Sequence, residues 1–287
     1  MQTKLKNLIL EIGKVNTLEV IRQSDNGLYL GTKDATEVLL PNAYMVPEEM
    51  GVGALVDVFV YTDSEDRPVA TTQMPKAMLG EFGYFTVVDY KSYGAFVNWG
   101  LPKDLFVPLS QQKEYFHIGE QYILRVCLDD QTNRLYATQK IGKWLSRDMS
   151  GLYQNKEMDL LVISKTPLGY KVVADNLYEG MLFGNEIFEP IEIGMRKKGY
   201  IKQVRKDFKL DLVLQPLGAD NNLVQLEEKI LAVMGEGAGK SALSSKSDAT
   251  EIINKFGMSK KNFKRALTAL KTKGLIRQDG DNISLNL

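Results

Sequence analysis

The 287-residue chain predicts a mainly β fold with a C-terminal α+β domain: three tandem five-stranded barrels of the OB type, followed by a winged helix-turn-helix. Three observations lead there. The chain matches itself without gaps at an offset of 67 residues; each repeat reads as short β-runs between turn clusters; and over roughly the last 65 residues the apolar period changes from strand-like to helical. The expected domains are 1–78, 79–147, 148–219 and 220–287.

In the repeat, Gly13 falls on Gly80, Val20 on Val87 and Gly27 on Gly94, and the run ending at Pro41 falls on the run ending at Pro108. Asp63 meets Asp130 and Arg67 meets Arg134. Turn residues and apolar runs coincide together, which duplication explains. Within the first unit, Val15–Gln23, Leu28–Gly31 and Glu37–Leu40 read as strands. A less regular stretch over 42–50 follows, and Ala54–Tyr61 and Pro68–Thr72 close the unit around the turn Asp63-Ser64-Glu65-Asp66. Five strands with a break after the third suit a small closed barrel; a sandwich would want about seven.

A third copy is weaker, with Leu168–Val173, Glu179–Phe183 and Arg205–Leu214 as its recognisable parts. Beyond it, Leu223, Leu226, Ile230, Leu231 and Met234 keep helical spacing. Ser247-Asp248 can cap a second helix, Ala249–Phe256, that Gly257 ends. Ser259 can cap a third, with Phe263, Ala266, Leu267 and Leu270 as its apolar stripe. The stretch 275–285 reads as a hairpin about Asp279-Gly280. Three helices and a hairpin make a winged helix-turn-helix, with the third helix in the recognition position.

Composition narrows the chemistry. With one histidine, His117, a multi-histidine metal site is impossible, and with one cysteine, Cys127, so is an internal disulfide. His117 reads as a surface residue and Cys127 as a small buried hydrophobe. No run of 18 apolar residues and no secretory signal is present, so a reduced, cytoplasmic protein is expected. The scarcity of histidine and cysteine leaves few groups for enzyme chemistry, and no cofactor is expected. Gly235-Glu236-Gly237-Ala238-Gly239-Lys240-Ser241 looks like a phosphate loop, but the required first glycine is Met234 and no strand precedes it. A connector between helices is the better reading.

Net charge is zero, yet the balance runs −4, 0, +1 and +3 over 1–78, 79–150, 151–219 and 220–287, so polyanion binding should favour the C-terminal half. The stretch 196–209 carries seven cations interleaved with Tyr200 and Phe208. Cations tracking phosphates beside rings that stack on bases are what single strands need, which selects Tyr200, Lys202, Arg205 and Lys209 as candidates. A solvated hairpin edge is the competing reading. On the third helix Lys260, Lys261, Lys264 and Arg265 are candidates, since Lys260 and Lys261 at a helix start oppose the dipole and want a phosphate. The second unit is rich in rings, among them Phe85, Tyr93, Phe96 and Phe106. If Ala95 and Val97 fill the barrel, alternation displays Phe96 outside.

Tyr93-Gly94-Ala95-Phe96-Val97 with Asp104-Leu105-Phe106-Val107-Pro108-Leu109-Ser110 resembles the S1-type RNA-binding domain, an OB variant. The resemblance implies that Phe96 and Phe106 stack on RNA bases, with Pro108 where many such domains carry histidine. The matching positions are Tyr29 and Leu39 in the first unit, and Lys171 and Leu182 in the third. The whole order, with Phe256-Gly257-Met258-Ser259-Lys260-Lys261 and Phe263-Lys264-Arg265-Ala266-Leu267, resembles the CvfB, or YitL-like, family of bacterial regulators. It implies a cytoplasmic, non-enzymatic RNA-binding protein that influences expression of other genes, virulence genes in some pathogens. Stacking on rings and phosphate contacts add the expectation of single-stranded RNA bound with low sequence specificity. The alternatives are a transcription factor that places the winged helix on duplex DNA, although its third helix offers mainly lysines rather than base-reading side chains, and a protein-interaction scaffold.

Overall fold

The computed structural model describes residues 10–32, 36–46, 50–217, 219–236, 239–279 and 282–286. These form two compact units, 1–144 and 145–287. The first unit holds two closed barrels. One is built from β1 (Val15–Ser24), β2 (Gly27–Gly31), β3 (Glu37–Pro41), β4 (Leu55–Thr62) and β5 (Pro68–Thr71). The other is built from β6 (Phe82–Lys91), β7 (Gly94–Asn98), β8 (Leu105–Pro108), β9 (Gln121–Leu128) and β10 (Leu135–Thr138). The second unit holds a third closed barrel of β11 (Glu157–Thr166), β12 (Gly169–Ala174), β13 (Tyr178–Phe183), β14 (Arg196–Val204) and β15 (Leu210–Val213).

All three close in the same way. Four neighbouring pairs are antiparallel, and the last strand runs parallel to the third, as in β3–β5, β8–β10 and β13–β15. Each first strand carries a register shift at one equivalent place, between Val20 and Arg22, Val87 and Asp89, and Val162 and Ser164. Such a bulge bends a strand enough to serve both neighbours of a small barrel. The second strand of each opens on a glycine for a steric reason. Gly27 and Gly169 both have φ +145°, and a Cβ on them would lie 2.1 Å from the Leu40 carbonyl oxygen and 2.0 Å from that of Leu182.

Alternation fills the barrels. Leu18, Val20, Leu28, Leu30, Val58 and Val60 are inside the first; Val87, Ala95, Val97, Val107, Leu124 and Val126 are inside the second. On β4 the opposite face is buried too. Phe59 and Tyr61 point out of their own barrel and pack on Trp99 of the second, with ring centroids 5.8 and 6.4 Å away. Trp99 Nε1 donates to the Lys103 carbonyl at 2.6 Å. The first two barrels therefore share a core.

The C-terminal part packs α1 (Ala219–Glu236), α2 (Ala249–Phe256) and α3 (Lys260–Thr272) around Ile230, Phe256, Phe263 and Leu270. Asp248 caps α2 through the Thr250 amide and Ser259 caps α3 through that of Asn262. The expected hairpin is β17 (Ile276–Asp279) with β18 (Asn282–Leu285); its turn residues Gly280 and Asp281 lie outside the described residues. The expected connector gains structure, because β16 (Lys240–Ser241) pairs with β18 and widens the hairpin to three strands. Gly237 and Ala238 lie outside the described residues.

Two outcomes follow. Gly27→Ala is expected to cost more than about 2 kcal/mol, because it adds backbone strain to a clash with a ladder carbonyl; a urea unfolding midpoint equal to that of the parent would contradict this. Burial pushes the Tyr61 phenol up from 10.0 to about 12. The unfolded chain thus ionises first, so Tyr61's contribution is complete below pH 10 and declines as pH rises toward 12. Urea melts at intervals from neutral pH to pH ~11 should show a smaller alkaline loss in Tyr61→Phe.

Candidate nucleic-acid interface

Register decides which side chains line up on the outer face. Phe96 on β7 is opposite Phe106 on β8, and Phe106 is opposite Tyr136 on the parallel strand β10. Their neighbours Ala95, Val97, Val107 and Ala137 are fully buried, so this row faces outward. Tyr93, from the turn before β7, completes a cluster whose centroids are 5.3 Å (Phe96–Phe106), 5.8 Å (Tyr93–Phe106) and 6.1 Å (Tyr93–Phe96) apart. Phe96, Phe106 and Tyr136 are half-buried and Tyr93 is exposed. Phe85 is a correction: it is fully buried in the second barrel's core, on the same side of β6 as Val87, and offers no face to a ligand.

The rings line a cleft of about 570 Å³ together with Lys103, Asp104, Asp129 and Arg134, and with Ser64 and Asp66 from the first barrel's β4–β5 turn. That turn engages both cations. Arg134 is ion-paired with Asp66, which holds the Asp66 carboxyl below its ordinary value. Lys103 Nζ donates to the Thr62 and Asp63 carbonyls at 3.0 and 2.6 Å, and burial pulls its pKa down. A first-barrel hairpin thus forms one wall of a second-barrel cleft.

The same row reads differently elsewhere. In the first barrel it is Tyr29, Leu39 and Val69, and the Arg22 guanidinium lies 3.5 Å over the Tyr29 ring while bonded to Glu37 at 2.7 Å. In the third it is Lys171, Met181 and Asp211. Met181, not Leu182, takes the place of Phe106; Leu182 is buried inside. Among the described residues, the second barrel alone carries rings along the whole row.

The basic stretch has partners of its own. Lys202 pairs with Glu186, Arg205 with Asp207 at 3.0 Å and Lys209 with Glu179 at 3.0 Å. Lys197 and Lys198 pair with Glu189 and Asp159, and the Tyr200 hydroxyl donates to Glu157. The stretch is therefore a ladder of compensated charges on a barrel wall rather than an uncovered cationic strip. Phe208 is half exposed at the β14–β15 turn with φ +60°, where the other two barrels place Asp66 and Asn133.

On α3, Lys261, Lys264 and Arg265 are exposed, and Lys261 and Lys264 make no ion pair among the described residues. Lys260 Nζ donates to the Lys246 carbonyl at 3.2 Å. Lys261 and Arg265, with Lys229, line a cleft of about 710 Å³ whose other side is third-barrel chain around Phe188. The approach is close: a Cβ on Gly257, φ +57°, would lie 3.1 Å from the Phe188 carbonyl oxygen. His117 is exposed, and Cys127 is buried on β9, where desolvation raises its thiol pKa.

The sequence alone did not single out Tyr136, Lys103 or Arg134 as cleft residues. Arg134 left a trace in its repeat partner Arg67; Tyr136 left none, because a parallel strand pairing has no local signature.

Comparison with known proteins agrees with this architecture. A family model described as an S1 domain matches residues 12–73, and one described as a CvfB-like winged helix domain matches 228–285. The S1 match thus falls on the first barrel, whereas the rings are on the second. "Uncharacterized protein YitL" of Bacillus subtilis is 32% identical over 274 residues, spanning 93% of this chain and 91% of the relative. "Conserved virulence factor B" of Staphylococcus epidermidis is 23% identical, spanning 96% and 94%. A crystal structure from Streptococcus pneumoniae, described as a multidomain protein with nucleic acid binding domains, is 24% identical and covers 96% of this chain and 98% of that one at a TM-score of 0.43.

Asp66→Asn should release Arg134 toward a bound phosphate. Because the pair is exposed, the gain in nucleic-acid affinity is expected to be modest, a few-fold at most. Equal or weaker binding in fluorescence anisotropy would show that Arg134 does not face the ligand.

Proposed function

The chain belongs to the family of YitL and conserved virulence factor B, and on that premise we propose that it is a non-enzymatic, cytoplasmic regulator that binds single-stranded RNA and so adjusts the expression of other genes, virulence genes among them. S1 and winged-helix domains are nucleic-acid-binding types.

One observation carries the reading for a single strand. Tyr93, Phe96, Phe106 and Tyr136 offer ring surface in a cleft bordered by Lys103 and Arg134. In a duplex, base faces are occupied by stacking on neighbouring pairs; in a single strand they are free to lie on a side-chain ring. Each base so stacked contributes ~1–3 kcal/mol, largely without regard to sequence. The cations add the phosphate attraction that makes affinity fall with salt.

The second barrel is the principal stacking site in this reading. In the first barrel Arg22 already occupies one face of Tyr29, and in the third Lys171 brings charge without a ring. Further phosphate contacts come from Lys261, Lys264 and Arg265 of the winged helix, with Lys202, Arg205 and Lys209 contributing less because each has a carboxylate partner.

The test replaces Phe96 and Phe106 by alanine together. Affinity for a single-stranded RNA oligomer should fall on the order of tenfold to a hundredfold at fixed salt, through lost stacking, with the thermal unfolding profile little changed. Unaltered affinity would remove the second barrel from the interface. Tight, sequence-dependent duplex DNA binding without RNA binding would replace the proposal altogether.

A further inference from the structure

Five charged side chains line the second-barrel cleft: Asp66, Lys103, Asp104, Asp129 and Arg134. Four are already engaged. Asp66 and Arg134 pair with each other, Lys103 donates to two first-barrel carbonyls, and Asp129 accepts from the Gln131 and Thr132 amides at 2.9 and 3.0 Å. Asp104 has no hydrogen bond and no ion pair among the described residues. It immediately precedes β8, two positions before Phe106, and borders the same space as the ring cluster.

We propose that Asp104 determines base preference in this cleft, accepting a hydrogen bond from an amino group on the Watson–Crick edge of a base stacked on Phe96 and Phe106. The inference rests on the single-strand reading above and adds to it a departure from indifference to sequence.

The chemistry follows from what a carboxylate can do. Ionised, it only accepts hydrogen bonds. Cytosine presents a donor, its N4 amino group, where uracil presents the O4 acceptor; a carboxylate at that edge attracts the first and repels the second. The two pyrimidines are nearly the same size, so the distinction lies in hydrogen bonding. A site that has removed an acceptor from water discriminates strongly against a ligand lacking the donor, because the acceptor is then left unsatisfied. Asp104 is exposed in the open cleft, and a base stacked on Phe96 and Phe106 is what displaces its water. Partial desolvation, with Asp89 nearby, raises its pKa, and none of the described residues offers it a donor. Asp89 is itself compensated by Lys91 at 2.8 Å. Ser64 and Asp66 add a wall to the side of this cleft of about 570 Å³, so the ring cluster is not an open sheet face.

The experiment measures binding of the full-length chain to oligo(C) and oligo(U) RNA of about 12 nucleotides, a length within the range that one such fold covers. It is done at neutral pH for the parent, for Asp104→Asn and for Phe96→Ala/Phe106→Ala. The parent should prefer oligo(C) by on the order of tenfold, the low end of what a well-placed base contact discriminates. Asp104→Asn keeps the shape but supplies a donor that uracil O4 can accept, so the ratio should collapse toward one. The double ring variant should weaken both oligomers. A parent that binds oligo(U) as well as oligo(C), or an Asp104→Asn ratio equal to the parent's while the ring variant still weakens both, overturns the role of Asp104 and leaves the single-strand reading standing. If the ring variant weakens neither oligomer, both readings fall together.

Discussion

A barrel of five strands has room inside for only one side chain in two, and the remaining half must face something else. That division governs this protein. The inward half is interchangeable among the three barrels: Leu28, Ala95 and Tyr170 hold equivalent positions, as do Leu30, Val97 and Val172, and the pattern tolerates the swaps because an apolar core asks mainly for volume. The outward half is where the barrels differ. At one row it is Tyr29, Leu39 and Val69, then Phe96, Phe106 and Tyr136, then Lys171, Met181 and Asp211. One scaffold thus presents a ring capped by arginine, an open cluster of rings, and a charged surface.

The outward half also joins barrels. On β4, Phe59 and Tyr61 take positions that would face water in an isolated barrel and instead meet Trp99. Once those faces are buried together, the β4–β5 turn is carried to the edge of the second barrel, and Asp66 reaches Arg134. The hydrophobic contact accounts for the association and the polar contacts for its register, since an exposed ion pair contributes too little to hold two barrels by itself. A consequence is that the S1-like first barrel acts on the second barrel's cleft without presenting an open ring surface of its own.

Much of this was legible in the chain. The offset of 67 residues located the second barrel, and strand parity put Ala95 and Val97 inside with Phe96 outside. Asp248, Gly257 and Ser259 marked helix ends through local hydrogen bonding and backbone conformation that depend on only a few neighbours. Phe85 was misread because it sits in a run of aromatic residues, Tyr84 and Phe85, in which composition cannot tell one face from the other. Its burial follows from strand parity with Val87, two residues on and before the register shift between Val87 and Asp89. The third barrel's Met181 was displaced to Leu182 for a similar reason, a slip of one residue reversing inside and outside.

The basic stretch 196–209 marks the limit most clearly. Counting along the chain finds seven cations, but Glu179, Glu186, Glu189 and Asp159, the carboxylates that compensate four of them, come from other strands and loops. What the sequence determined by itself is whatever depends on near neighbours: period, turn glycines, caps, and the repetition of a unit. The folded chain alone decided which charges cancel, which ring faces stay open and which barrel walls in which cleft. Those outcomes depend on pairs far apart in the chain, such as Asp66 with Arg134 and Phe106 with Tyr136, and distance in space is set only when the barrels close and dock.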